Sequence, residues 1–167
     1  MAGLWNDAYF NLLRMNILFL TPWYPNPRYP LEGSFVESQA LALAREGMDI
    51  TVACLHLSPY GFTQPVRRWY RLQKSKEKKL DVIRLEGPFF PKRNPFFIKA
   101  WAQWVSRLLV PFIQKNKQID LLHAHTQLGA IAAYFLSKKT GLPYVVTLHE
   151  SSFLANKVFS WHSSLLK

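Results

Sequence analysis

Cysteine is almost absent. Cys54 is the only one in 167 residues, which excludes an internal disulfide framework and a cysteine-based zinc knuckle. Its neighbours Val52 and Leu55 read as a buried strand, where a thiol is inert. The compartment that fits this usage is reducing, the cytoplasm. Glycine-rich phosphate loops are missing too. There is no G-x-G-x-x-G and no G-x-x-x-x-G-K-[ST], so dinucleotide dehydrogenases and P-loop nucleotidases lose their main support. The most hydrophobic long stretch, residues 96–113, carries Lys99, Arg107 and Pro111. A membrane span needs about 20 mostly apolar residues without such interruptions. The first residues do not read as a signal peptide: Asp7 comes early, Arg14 follows the short apolar run, and no small-residue cleavage site appears.

Acidic residues are scarce, 10 against 21 Lys+Arg, for a net charge of +11. A basic surface favours anionic partners: phosphorylated metabolites, acidic lipid headgroups or nucleic acid. No nucleic-acid motif accompanies the charge. The length suits one domain with a full core and falls short of a (β/α)₈ barrel, which needs roughly 250 residues. With 49% hydrophobic residues, wholesale disorder is excluded.

The order of elements indicates the architecture. Residues 1–14 read as an N-terminal extension before the run Ile17–Leu20, a strand buried on both faces. Pro22, Pro25, Pro27 and Pro30 break the chain into a loop that closes at Gly33. Ser34 then matches an N-cap with Glu37 reaching back, a capping box, and the helix stops near Gly47. Asp49–Leu57 reads as strand two, residues 58–79 as a polar loop or short helix, and Leu80–Leu85 as strand three. A helix follows from about Phe96, then strand four at Ile119–Ala124, a helix over Leu128–Lys139 closed by Gly141, and strand five at Pro143–Leu148. A further helix is expected from Ser152. Strands alternating with helices imply βαβ units and an open, doubly wound parallel sheet, with strand order 3-2-1-4-5.

In such sheets ligands bind beyond the carboxyl ends of the strands. Three of the five histidines fall there: His123, His125 and His149. Gly33 and Ser34 open a helix, whose first N–H groups attract anions; a plain cap with a preceding glycine is the competing reading. His123, His125, His149 and Glu150 have the composition of a metal site. The favoured alternative makes His123 a hydrogen-bonded core residue, with only His125 reaching the cleft. His149 directly follows an apolar strand and is the strongest single candidate for proton transfer or for orienting a hydroxyl. Residues 65–79 hold seven basic residues and one acid. They read as a solvated loop, or as a patch for anionic lipid worth about 1 kcal/mol per cation. The helix after Pro95 has a wide apolar arc, which either meets a partner or packs on the sheet and a neighbouring helix.

Four segments in register resemble one family. Met15–Pro25, Gly33-Ser34-Phe35-Val36 with Ala42–Val52, Asp120–His125, and Pro143–Glu150 are similar to the N-terminal signatures of family 4 glycosyltransferases. The resemblance covers about residues 15–165. It implies a GT-B architecture of two Rossmann-like domains, with residues 15–167 as the N-terminal, acceptor-binding half. The family's C-terminal domain carries most of the nucleotide-sugar site, including two glutamates eight positions apart. No two glutamates here have that spacing, so that domain is expected to be absent and the chain inactive alone. The resemblance implies a retaining transfer from a nucleotide sugar to a glycan or lipid-linked acceptor, in surface polysaccharide or glycolipid synthesis. It needs neither metal nor other cofactor. Gly33 and Ser34 would meet the donor diphosphate, His149 would be the active-site histidine, and His125, Thr126 and Glu150 would line the acceptor side. Family members often have two adjacent glycines in the first loop, whereas here Glu32 precedes Gly33. The expected location is the cytoplasm, with residues 65–79 able to meet the inner membrane face. The alternatives are a non-catalytic module for an anionic glycolipid or membrane surface, and a metal-dependent hydrolase using the three histidines.

Overall fold

The computed structural model describes residues 15–58, 71–88, 95–116 and 118–149. The expected extension over 1–14, residues 65–70 of the basic segment, Glu150 and the helix expected from Ser152 lie outside them.

Six strands and three helices make up the described chain. They are β1 (Asn16–Thr21), α1 (Ser34–Arg45), β2 (Asp49–Ser58), β3 (Arg71–Glu77), β4 (Leu80–Pro88), α2 (Pro95–Asn116), β5 (Leu121–His125), α3 (Thr126–Thr140) and β6 (Tyr144–Thr147). They form one sheet in the order β3-β4-β2-β1-β5-β6. Every pairing is parallel except β3 with β4. With β3 set aside, this is the expected 3-2-1-4-5 order.

β3 corrects the expected loop or short helix. Its two faces are both polar, so no apolar period marks it, and it lies exposed at the sheet edge. Lysines along an edge discourage pairing with another chain. The hairpin into β4 is hidden as well. Lys78 and Lys79 both take positive φ, 46° and 74°, as a type I′ turn requires, but without the usual Asn-Gly signal.

Helices cover both faces. On one, Val36 and Ala40 of α1 pack on Ile17, Phe19, Ile50, Val52 and Val82. Cys54 lies in this layer, and burial pushes its thiol up to about 12, which keeps it protonated and inert. On the other face, Trp101, Val105 and Leu109 of α2 and Leu136 of α3 pack on Leu18, Leu20, Ala53, Leu55 and Leu85. The wide apolar arc of α2 is thus spent on the sheet and on α3. Each fully buried leucine contributes roughly 1.5–3 kcal/mol of hydrophobic stabilisation. β5 begins two residues later than expected, because Asp120 ties down the strand entry instead. Its carboxylate accepts from the Asn16 backbone N–H at 2.8 Å, and its own N–H donates to the Asn16 carbonyl at 2.9 Å.

Two helix starts also differ. Gly33, not Ser34, is the N-cap of α1, in the left-handed region at φ 67°, and no side chain caps the helix. The Gly33 carbonyl accepts from the N–H groups of Val36 and Glu37. Glu37 is drawn instead to Lys78 in the β3–β4 turn, 2.8 Å away. Helix α3 starts at Thr126 rather than Leu128. Gly141 closes it as expected, at φ 76°.

Candidate functional site

β1, β5 and β6 are parallel neighbours, so the loops after them leave from one rim. α1 follows β1 toward β2, while β5 lies on the other side of β1. The rim is therefore the switch point where α/β sheets bind ligands.

The path from β1 to Gly33 is fixed by local bonds. The Thr21 hydroxyl donates to the Trp23 carbonyl at 2.8 Å. The Asn26 side chain accepts from the N–H groups of Arg28 and Tyr29, 3.0 and 2.9 Å away, an Asx turn. Arg84 of β4 anchors the same loop. It donates to the Pro25 carbonyl at 2.6 Å, pairs with Glu77 at 2.7 Å, and lies over the Tyr24 ring. Burial opposes the charge on Glu77, but the hydrogen bonds from Arg84 and Ser75 outweigh it and hold the carboxyl below its usual range. Tyr24 is buried, and burial pushes its phenol up, so the hydroxyl stays neutral. At the loop's end Gly33 is pressed against backbone. A Cβ there would overlap the Trp23 carbonyl and lie 2.8 Å from the Tyr24 nitrogen. The backbone thus makes the tight approach that a single glycine allows. Ser34 is exposed, with its hydroxyl free of any cap bond.

β5 and β6 bring in the histidines. Alternate residues of a strand share a side, so His123 and His125 both face the α1 side, against Phe19 of β1 at 4.7 and 4.8 Å between ring centroids. The register pairs His125 with Thr147, which puts His149 two residues past that pair. His123 Nε2 is 2.8 Å from the Thr147 hydroxyl, which makes it the hydrogen-bonded core residue anticipated from sequence. His125 Nδ1 is 3.1 Å from His149 Nε2. The rings of His123 and His125 stack at 4.5 Å, and those of His125 and His149 lie within 9° of parallel at 5.4 Å. His149 also meets the Phe35 ring at 4.1 Å. Since Phe35 is in the first turn of α1, the structure brings Gly33, Ser34 and His149 to one place.

His125 was expected to reach the cleft, and among the described residues it does not. It has no exposed surface, because Phe19, His123 and His149 enclose it. Thr126 is buried too, at φ 68°, where a β-branched residue is strained by about 1–3 kcal/mol. Its hydroxyl and His125 Nε2 are both buried without a partner among the described residues.

All three imidazoles have a lowered proton affinity. Burial pulls His125 down to about 3, with His123 and His149 adding to the effect. Burial also lowers His123, helped by His149, and burial alone lowers His149. The rim therefore offers uncharged ring nitrogens beside a positive helix end. Among the described residues no group of three or more His, Cys, Asp or Glu is placed to hold a metal ion. His123 spends its Nε2 on Thr147, and His125 is turned toward His149. A cavity of about 1080 Å³ opens on the other flank of the Pro-rich loop, lined by Asn26, His56, Gln73 and Arg84 among others, but neither Gly33 nor His149 lines it. Sequence reasoning missed Phe35 and Thr147. Phe35 directly follows Gly33-Ser34, and that adjacency was the one available signal.

The profile of the glycosyl transferase 4-like domain matches residues 33–167, and the chain belongs to this family. It is 34% identical over 148 residues to "Putative teichuronic acid biosynthesis glycosyltransferase TuaC" of Bacillus subtilis (strain 168). That alignment covers 82% of this chain and 36% of the relative, so the chain spans about a third of the relative's length. Among solved structures it resembles a sucrose-phosphate synthase from Thermosynechococcus elongatus, with TM-score 0.55 and 14% identity over 87% of this chain and 36% of that one. It also resembles the C-terminal domain of the PF1911 hydrogenase from Pyrococcus furiosus, with TM-score 0.52 and 15% identity over 81% of this chain and 92% of that one. At these identities both likenesses speak for the fold alone. The fold class is the Rossmann-like α/β sheet found in one half of GT-B glycosyltransferases.

Proposed function

We propose that this chain is the acceptor-binding N-terminal half of a retaining glycosyltransferase. It works with a nucleotide-sugar-binding domain to move a sugar onto a glycan or lipid-linked acceptor during surface polysaccharide synthesis. The observation that carries this reading is the 4.1 Å approach of Phe35 to His149, which sets the helix start at Gly33 and Ser34 beside a neutral imidazole. The start of α1 carries about half a positive charge. It would stabilise the charge that builds on the leaving diphosphate. The Gly33 turn lets phosphate approach backbone, and the exposed Ser34 hydroxyl adds a donor. Neutral His149 would hydrogen-bond the reacting sugar. Its lowered proton affinity suits positioning better than proton storage. His125 and Thr126 would act from beneath the acceptor side, and Glu150 completes the assigned set. The reading requires no metal and no cofactor beyond the nucleotide-sugar substrate. The kinship with the teichuronic acid relative supports a polysaccharide acceptor.

The test is to coexpress this chain with the remaining C-terminal part of the Bacillus subtilis relative and assay sugar transfer from a panel of nucleotide sugars. Transfer should appear with both parts and fall about 100-fold or more with His149→Ala. Robust turnover by the 167 residues alone would reject the acceptor-half reading.

The exposed edge strand favours a further contact. Arg71, Lys74 and Lys76 of β3 and Lys78 and Lys79 of its turn lie along one margin of the sheet, suited to anionic headgroups on the inner membrane face. Vesicles with and without anionic lipid test it. Binding that needs anionic lipid and fails after charge reversal at Arg71 and Lys76 supports the contact. If such binding occurs while no transfer can be reconstituted, the chain is a non-catalytic membrane module.

A further inference from the structure

The bond between His125 Nδ1 and His149 Nε2 leaves two arrangements of the ring protons. In one, His149 Nε2–H donates to His125 Nδ1. His125 must then carry its own proton on Nε2, a buried donor with no partner among the described residues. In the other, His125 Nδ1–H donates to His149 Nε2. The buried Nε2 of His125 is then a bare lone pair. Orphaned buried donors are rarer in proteins than under-used acceptors, and a buried donor left without its bond is destabilising. We infer that His125 is a positioning residue that fixes the tautomer of His149, so that His149 carries its proton on Nδ1, away from His125, and offers a donor rather than a bare nitrogen to a ligand.

The surroundings hold this arrangement in place. His123 is locked by the Thr147 hydroxyl and stacks on one side of His125. Phe19 contacts both rings of β5. His149 is clasped between His125 and Phe35. Free histidine in water favours the proton on Nε2, so the inferred tautomer is the reverse of the default. For the proposed transfer, on which only this consequence rests, His149 would donate to a sugar oxygen. It would not take a proton from the acceptor.

The experiment is a long-range ¹H–¹⁵N correlation spectrum of the labelled 167-residue chain at pH 7.5. His125 and His149 are assigned by the loss of their signals in His125→Leu and His149→Gln. The expected result is a protonated Nδ1 and a bare Nε2 on both rings. In His125→Leu the His149 ring should revert to the Nε2–H form, and in His125→Asn, whose amide can replace the Nδ1–H donor, it should not. A His149 ring with its proton on Nε2 in the wild type would overturn the inference, even if the leucine variant failed to fold. So would a His149 tautomer unchanged in a folded His125→Leu. No sugar transfer enters the readout, so failure of the glycosyltransferase reading would leave this result standing, and the reverse also holds.

Discussion

The Phe35 ring, two residues past the glycine that opens α1, lies 4.1 Å from the ring of His149, which follows the last described strand. The two residues belong to two layers of the fold: Phe35 to α1 on one face, and His149 to the segment just past the end of β6, two strands from β1 in the sheet beneath it. Burial is what lowers the proton affinity of His149, and Phe35 supplies part of that cover. Phe35→Ala should therefore raise the His149 pKa toward the ordinary value of about 6.5. A titration of the His149 ring protons by NMR checks this, and an unchanged midpoint in a folded variant would show that the cover comes from elsewhere.

Gly33 and Ser34 should respond very differently to alanine. Gly33→Ala places a Cβ at φ 67° and into the Trp23 carbonyl. The left-handed conformation costs about 1–2 kcal/mol, and the overlap adds about 1–3 kcal/mol. Ser34→Ala removes no cap bond and should stay within about 0.5 kcal/mol of wild type. Urea unfolding midpoints at constant slope measure both. A loss of about 1 kcal/mol at Ser34 would restore the capping box.

The Arg84–Glu77 pair holds the Pro-rich loop, so Glu77→Gln should cost about 1–3 kcal/mol at neutral pH. The folded carboxyl titrates below its ordinary value of 4.5. Its contribution is therefore complete above that value and is lost as pH falls through the lower, folded one. The gap between wild type and Glu77→Gln should be flat from pH 7 to pH 5 and shrink toward pH 3. Denaturation at each pH follows it, and a gap that is already closing at pH 6 would assign the effect to another group.

Acid should weaken the histidine column earlier. His125 has a folded pKa of about 3, far below the unfolded value of about 6.5, so the unfolded chain binds the extra proton. Stability is then complete above about pH 6.5 and declines below it, by up to about 1.4 kcal/mol per pH unit for one proton. His123 and His149 add to the slope in the same sense. His125→Asn should flatten the curve between pH 6.5 and 5 in urea unfolding, whatever its effect at pH 7.5. An unchanged slope would mean that His125 is not buried neutral.

Five of the six strands are legible because they lie inside the sheet or end in apolar runs, as Ile17–Leu20 and Val145–Val146 do. β3 is not, since a strand exposed on both faces needs no apolar alternation and its Lys78-Lys79 turn carries no glycine. The pairing of Ser34 with Glu37 imitates a capping box, but the left-handed Gly33 takes the cap, and Lys78, distant in sequence, claims the glutamate. The rim was readable because His125 ends one apolar strand, His149 lies two residues past another, and Gly33-Ser34 open the helix after β1. The partners of His149 were not. His125 is 24 positions away, and the contact depends on the β5–β6 register. Burial of His125 depends likewise on Phe19 and His149 closing over it.

That Gly33 and His149 share one rim is tested most directly by ring-to-ring NOEs in the ¹³C-labelled chain. Strong cross-peaks between the Phe35 ring protons and the His149 ring protons are expected, as a 4.1 Å centroid separation requires. A His149 ring with NOEs only to β6 and none to Phe35 would contradict it.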